Sequence, residues 1–479
     1  VSIYVTPSKK ILISTFLAAK ALYSRGYLHT QREKGRKIKM HRNECPLFHI
    51  VALVTLFILG FSIYSFAWDI EVLESQADRE TKAPIVIDSN DIPHTAYFND
   101  LEGHSASIIY AYRRQDSWFK QTVAEHKVEM VGNSHPVLAF DANDNPYIFY
   151  RNLLGQLWCI YRSGSGWSER GIGPLARCSP HDAVFDSDNM MSVVYFYYVP
   201  PDGWKQGQLR LAVDIGDKFN RTVIEPNGYY PSASLAADSN ETLHLSYYDG
   251  NNELLVYAVQ NGDSWDRYTI ENVGGVSDSY GAISLAIDSH DLPHISYYKF
   301  ATSDLKYAHW NGADWLIQTV DSLDNVGNYS SLALDSHDNP RIAYRDTSNR
   351  ALKYASFDGS SWQIELVDDK DSSGRLASLA LDSHDRPCIS HFDGYPNNDI
   401  RYATLAGECG DLQHPILPGD IDENCYIDFN DFSRFASWWL LSSCADCNNC
   451  QGGDFDKTGT VDANDLSALC SNWLRYTGL

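Results

Sequence analysis

The sequence predicts a mostly β protein, a seven-bladed β-propeller followed by a small α-helical domain. Three observations predict it. One pattern recurs seven times between residues 68 and 406, at spacings of 45 to 53 residues, and each copy has room for four short strands. Most copies place a Trp near the fourth strand, and the aromatic content of 13% suits packed β-structure. Beyond residue 417 the apolar residues take up helical spacing instead.

Each repeat begins with a strand rich in small apolar residues. An Asp-Ser-x-Asp turn follows, then Tyr-rich and Leu-Lys-Tyr-Ala strands, then Gly-x-x-Trp and a last strand. The clearest copies run from Ser284 to Lys299 and from Ser331 to Asp346. The marker Asp of the turn is Asp88, Asp141, Asp186, Asp238, Asp288, Asp335 and Asp382. The Trp series is Trp118, Trp167, Trp265, Trp315 and Trp362, with Phe219 in the third unit. The seventh unit has no fourth strand before the pattern stops at 406. Trp68-Asp-Ile-Glu-Val72 matches Trp362-Gln-Ile-Glu-Leu366, so the strand 68–72 is expected to complete the last blade and close the ring. The turns suit Asx-type hydrogen bonding and the fixed φ of proline. The Tyr and Trp fill space between blades. His290, His337 and His384 sit in turns, where solvent is the expectation. All of these repeat, which marks them as architectural.

The charge is uneven. The formal net charge is −24; residues 1–39 carry +8 and residues 68–479 carry −32. So acidic a body excludes nucleic-acid binding through phosphates. It suits solubility, divalent cations or neutral and cationic ligands. Leu47–Tyr64 is an apolar run behind Lys37, Lys39 and Arg42, with Ser65-Phe-Ala67 after it. That order is a secretory signal at 40–67 with cleavage after Ala67. An uncleaved membrane anchor is the alternative, and the only route to membrane contact. Residues 1–39 precede Met40 and read as a mis-started upstream extension. The expected location is therefore extracellular.

Candidate function lies where the repeat is broken. Six positions before the marker stand Lys82, His135, Pro180, Ser232, Ala282, Tyr329 and Leu376, and one position later Ala83, Pro136, His181, Ala233, Ile283, Ser330 and Ala377. His135 and His181 are exceptional, on neighbouring blades at the start of the innermost strand, which faces the axial channel. Arg151 and Arg345 replace the aromatic common at the end of strand two, and His391 replaces Tyr there. Tyr229 and Tyr230 add aromatic surface before the fourth unit. His135, His181 and Arg151 are the catalytic candidates. Tyr229, Tyr230, Arg345 and His391 are the ligand-binding ones. Arg would neutralise a carboxylate while His or Tyr moves a proton on a uronic acid polymer. The alternatives are a lectin-like pocket or buried polar residues with no ligand. Neither HExxH nor GxSxG occurs.

After a linker at 407–417, residues 418–479 carry a duplicated loop. The first runs Asp420, Asp422, Asn424, Tyr426, Asp428, Asp431; the second runs Asp454, Asp456, Thr458, Thr460, Asp462, Asp465. Oxygen side chains fall at loop positions 1, 3, 5, 9 and 12, and position 7 offers a backbone carbonyl. Ca²⁺ needs that density of hard ligands, so two Ca²⁺ sites are expected. Phe432/Leu466, Phe435/Leu469, Trp439/Trp473 and Leu440/Leu474 repeat at the same offset and give each following helix one packing face.

Two resemblances follow from these residues. The paired calcium loop–helix units resemble a type I dockerin, with Asp rather than Glu at position 12. Cys425 stands at position 6, where Gly is usual. Phe429-Asn430 and Ala463-Asn464 stand at the partner-contacting positions. The resemblance implies a cohesin-like scaffold partner and an association with polysaccharide breakdown; the alternative is a calcium-stapled end module with no partner. The strand pattern and ends such as Asp358-Gly-Ser-Ser-Trp362 resemble sialidase-like, BNR-type propellers. The spacing from Asp to Gly is one residue shorter than in that family's Asp-box, and neither an arginine triad nor a tyrosine–glutamate pair is present. This resemblance implies the fold and an association with glycans, not sialidase activity.

Nine cysteines remain outside the leader: Cys159, Cys178, Cys388 and six within 409–470, including Cys444, Cys447 and Cys450. Export favours disulfides over zinc, and Cys159 is able to pair with Cys178 across blades two and three. The functional expectation is a secreted calcium-binding protein whose propeller binds polysaccharide or other glycans and whose tail attaches it to a scaffold or surface. The alternatives are a polysaccharide lyase or glycoside hydrolase at the axial mouth, and a protein-interaction scaffold.

Overall fold

The computed structural model describes residues 68–405, apart from short stretches at 78–80, 103–104, 115–116, 130–134, 165, 174–177, 199–205, 217, 276–282 and 395, together with residue 461. The expected leader, the linker, both calcium loops and the six C-terminal cysteines lie outside the described residues. Among the described residues no helix is long and apolar enough to cross a membrane.

Seven four-stranded antiparallel sheets make a seven-bladed propeller. The innermost strands are Ile85–Ile87, Val137–Phe140, Cys178–Phe185, Ala233–Ala237, Ile283–Ile287, Val326–Leu334 and Arg375–Leu381, for blades one to seven in turn. Strand Trp68–Glu74 is the outer strand of blade seven. It pairs antiparallel with Ile400–Leu405, Trp68 opposite Leu405 and Val72 opposite Arg401. The last blade is thus built from both ends of the propeller chain, which leaves no open seam.

The repeat residues do two jobs between blades and one within each blade. The Trp that opens an outer strand packs edge-on against a Tyr of the preceding blade: Trp118 on Tyr402, Trp167 on Tyr110, Trp362 on Tyr307 and Trp68 on Tyr354, at 5.1–5.3 Å between ring centres. The indole N–H then donates to a side chain three residues into the outer strand of the preceding blade, Glu71, Gln121, Gln318 and Glu365 for Trp118, Trp167, Trp362 and Trp68.

The marker Asp closes its own turn. Asp288 Oδ1 accepts the backbone N–H groups of His290 and Leu292 at 2.9 and 2.8 Å. Its other oxygen meets His294, whose Nδ1 lies 2.5 Å from the Tyr307 hydroxyl. Asp88–His94–Tyr110 and Asp238–His244–Tyr257 repeat this buried chain. In blade six Arg341 stands at the His position, and in blade seven Arg386, two places earlier, meets the marker Asp382 instead. His290, His337 and His384 are exposed in their turns.

Cys159, Cys178 and Cys388 form no disulfide. This corrects the expected pairing of Cys159 with Cys178. Both are packed as small apolar side chains in one cluster with Phe149, Leu157 and Tyr195. Burial pushes both thiols up to about 12.

Candidate functional site

The inner strands surround an axial channel of about 650 Å³ to which all seven blades contribute. Most of its wall is a closed ladder. Four residues before the marker, blades four to seven carry Ser234, Ser284, Ser331 and Ser378. Each hydroxyl accepts a backbone N–H of the next inner strand, from Leu285, Leu332, Leu379 and Ile85 in turn, at 3.0–3.1 Å. Blade three has Asp182 at this position. Its Oδ2 accepts Leu235 N–H and the Ser234 hydroxyl, both at 3.0 Å, and its Oδ1 accepts Ala183 N–H at 2.9 Å. Blades one and two have Pro84 and Val137 here, and the ladder stops.

The gap is where the exceptional residues collect. The Lys82 backbone N–H donates to His135 Nδ1 at 3.1 Å. That bond leaves Nε2 as the nitrogen that carries the proton in neutral His135. In blade three the ladder shifts between Pro180 and Asp182, so His181 is the extra residue of a β-bulge. A bulge re-aims the side chain it carries. His181 hydrogen-bonds the Tyr230 backbone, while its buried Nε2 has no hydrogen-bond partner among the described residues. The two histidines are therefore held in opposite tautomers.

Burial and then the Lys82 charge hold His135 down at about 3. Burial holds His181 at about 4, opposed by its bond to the Tyr230 backbone and aided by Lys82. Burial raises Asp182 above the usual carboxylate range, against its backbone bond from Leu235 and the Lys82 charge. Burial lowers Lys82, with Asp182 opposing. Lys82 thus acts electrostatically on His135, His181 and Asp182, and four groups from three blades form one unit.

The expected site residues divide. His135, His181, Arg151 and Tyr229 line the channel, and Arg151 is fully buried there. The Tyr229 ring lies over Gly250, where an added Cβ would come within 2.6 Å of its Cδ1. Tyr230 also lines the channel, with its ring largely buried between blades three and four, edge-on to Phe196 and Tyr247. Arg345 and His391 do not line the channel. Arg345 donates to the Ser372 and Ser373 carbonyls and the Ser372 hydroxyl, all at 3.0 Å, and so pins a loop of blade seven. His391 faces Asp368 of blade six at 3.5 Å. In other blades a Tyr makes this link: Tyr97 to Glu74, Tyr247 to Glu225, Tyr297 to Glu271 and Tyr344 to Asp321, at 2.6–2.8 Å. The substitution keeps the architecture.

Two channel residues were not singled out from sequence, Lys82 and Asp182. The signal for both was present: a lone cation six places before the marker, and an acid in a column of serines.

The sequence matches no family model and no curated protein. Solved structures similar to the chain include the Aleuria aurantia lectin in complex with α-methyl-L-fucoside, at 14% identity and TM-score 0.42 over 63% of this chain and 98% of that one. An ulvan lyase, described as a polysaccharide lyase, is 13% identical at TM-score 0.45 over 71% and 96%. YCF48 bound to a D1 peptide is 12% identical at TM-score 0.46 over 74% and 99%. These likenesses assign neither a family nor a ligand.

Proposed function

We propose that the axial channel is a glycan-binding site. One observation carries this reading: Lys82, His135, His181 and Asp182 converge from three blades at the only stretch of the described inner wall where the inter-blade ladder stops. Concave sites with a few fixed polar groups beside an aromatic are how proteins hold small polar ligands. Serine hydroxyls and the half-buried Tyr229 supply the hydrogen-bonding and stacking surface a sugar ring uses. The C-terminal residues 418–479 are proposed to bind two Ca²⁺ ions and to attach the protein to a scaffold or surface, on the strength of the duplicated oxygen-ligand spacing. Secretion through the segment 40–67 completes this proposal.

A second reading, a polysaccharide lyase, is favoured by the opposite tautomers. His181 Nε2 offers a bare lone pair to take the proton from carbon as a C=C bond forms and the C–O bond breaks; neutral His135 keeps an N–H on Nε2 to hydrogen-bond the departing oxygen, which takes its proton from water. The test passes the full chain over neutral, uronic and sulfated polysaccharides, recording retention and new reducing or unsaturated ends. Retention without product supports a binding module. Product that vanishes in His181→Ala, with melting unchanged, supports the lyase. Absence of both signals overturns the glycan reading.

A further inference from the structure

Lys82 differs from the other partly buried lysines of the propeller. Lys299 pairs with Glu271, Lys353 with both Asp321 and Asp346, and Lys306 donates to the Thr319 hydroxyl. The Lys82 ammonium has no ion pair or hydrogen bond among the described residues, although it lies in the channel lining. Among the described residues Asp182 is the single carboxylate of that lining, and its oxygens already accept from Ser234, Leu235 and Ala183. Both histidines beside it are neutral, as their depressed pKa values require. Lys82 thus stands in the lining without an ion pair among the described residues, inside a chain whose net charge is −24. Burial disfavours the charged form of Lys82, and an incoming anion would favour that charged form. Charge of this sign in a channel lining selects its ligand by charge.

We propose that the sugar this channel takes bears an acid group, carboxylate or sulfate, and that Lys82 is the residue that binds it. The proposal rests on the glycan-binding reading above and narrows it. The acid group sits against the Lys82 ammonium and makes a charge-assisted bond. The ring lies across the gap in the serine ladder, between His135 and His181. Asp182 fixes the blade-three strand and is a positioning residue, not a ligand contact.

The experiment uses the full chain with four probes: a uronate homopolymer, the same polymer after carboxyl reduction, dextran sulfate and dextran. Binding is measured by calorimetry for the native chain, Lys82→Met and Lys82→Arg, each checked by thermal melting. The expected result is binding of one or both acidic polymers, at least about tenfold tighter than their neutral counterparts, a difference of about 1.4 kcal/mol. Lys82→Met abolishes that margin, and Lys82→Arg keeps most of it. The uronate arm and the sulfate arm tell which acid is preferred. Equal binding of neutral and acidic polymers, or a margin that survives Lys82→Met, overturns the acid inference and leaves the glycan reading standing. No binding of any probe by the native chain overturns the glycan reading, and this inference with it.

Discussion

Ser383 of blade seven and Asp91 of blade one are 292 residues apart and hold the ring closed: the serine N–H and hydroxyl donate to the two carboxylate oxygens of Asp91 at 2.8 and 2.6 Å. The same clasp runs around the whole propeller. Ser89, Ala142, Ser187, Ser239, Ser289 and Ser336 donate to Asp144, Asn189, Glu241, Asp291, Asp338 and Asp385 of the next blade. Every acceptor has φ between 58° and 64°. Asp and Asn tolerate that left-handed conformation better than most residues. The second acid of Asp-Ser-x-Asp is thus placed by its own turn and used by its neighbour.

Asp91→Ala removes both bonds and puts alanine at φ 60°. We expect a fall of a few degrees in melting temperature, with Asp91→Asn falling less because its amide oxygen still accepts. Scanning calorimetry checks the order of the three proteins. Equal melting for all three means that the clasp adds nothing in solution.

The closing strand should be energetically uneven. Leu73 is 1% exposed and packs with Tyr97, Phe392 and Ile400, which joins blade seven to blade one. Leu73→Ala is expected to cost about 3 kcal/mol. Val72, its neighbour on the same strand, is 52% exposed, and Val72→Ala should stay within about 0.5 kcal/mol. Urea unfolding of the two variants decides it; similar midpoints would mean that the strand does not hold the seam.

Glu365 gives the fold a pH dependence. Burial raises its carboxyl to about 7, with the Trp68 hydrogen bond opposing. The folded protein therefore holds a proton that the unfolded chain releases nearer pH 4.5, the ordinary value. Stability from this group is complete below about pH 4.5 and is lost as pH rises toward 7, by on the order of 2 kcal/mol. Glu365→Gln should remove this slope and stabilise the protein at pH 8. The equivalent positions Gln121 and Gln318 already hold their tryptophans with a neutral amide. Denaturation series across this range test the sign.

His135 and His181 should stay neutral down to about pH 5, since both titrate well below the ordinary histidine range. Nitrogen NMR of the imidazoles should show opposite tautomers for the two rings and no change between pH 6 and 8. A histidine shift in that interval assigned to either ring would overturn the tautomer argument and weaken the lyase reading.

Calcium binding by the tail is checked by titrating the chelator-treated full chain. Two sites are expected, with Asp454→Ala leaving one. Loss of neither site in Asp420→Ala and Asp454→Ala would exclude the duplicated loops as the ligands.

The repeat made the blade number and the order of strands legible. A pattern recurring with period-two strands has few ways to bury its apolar faces, and Trp68 could be matched to Trp362 by residue type alone. The exceptional histidines were legible too, because a departure from a column is visible in one dimension. What a departure does was not. His391 and Arg345 break the pattern as sharply as His135, yet they meet Asp368 and the 372–373 carbonyls and keep an architectural role. Their partners lie on the preceding blade or across a loop, and only the folded chain brings them near. Lys82 and Asp182 became a pair of interest for the same reason. Desolvation and the approach of blades one, two and three set their charge states, and neither exists before the ring has closed.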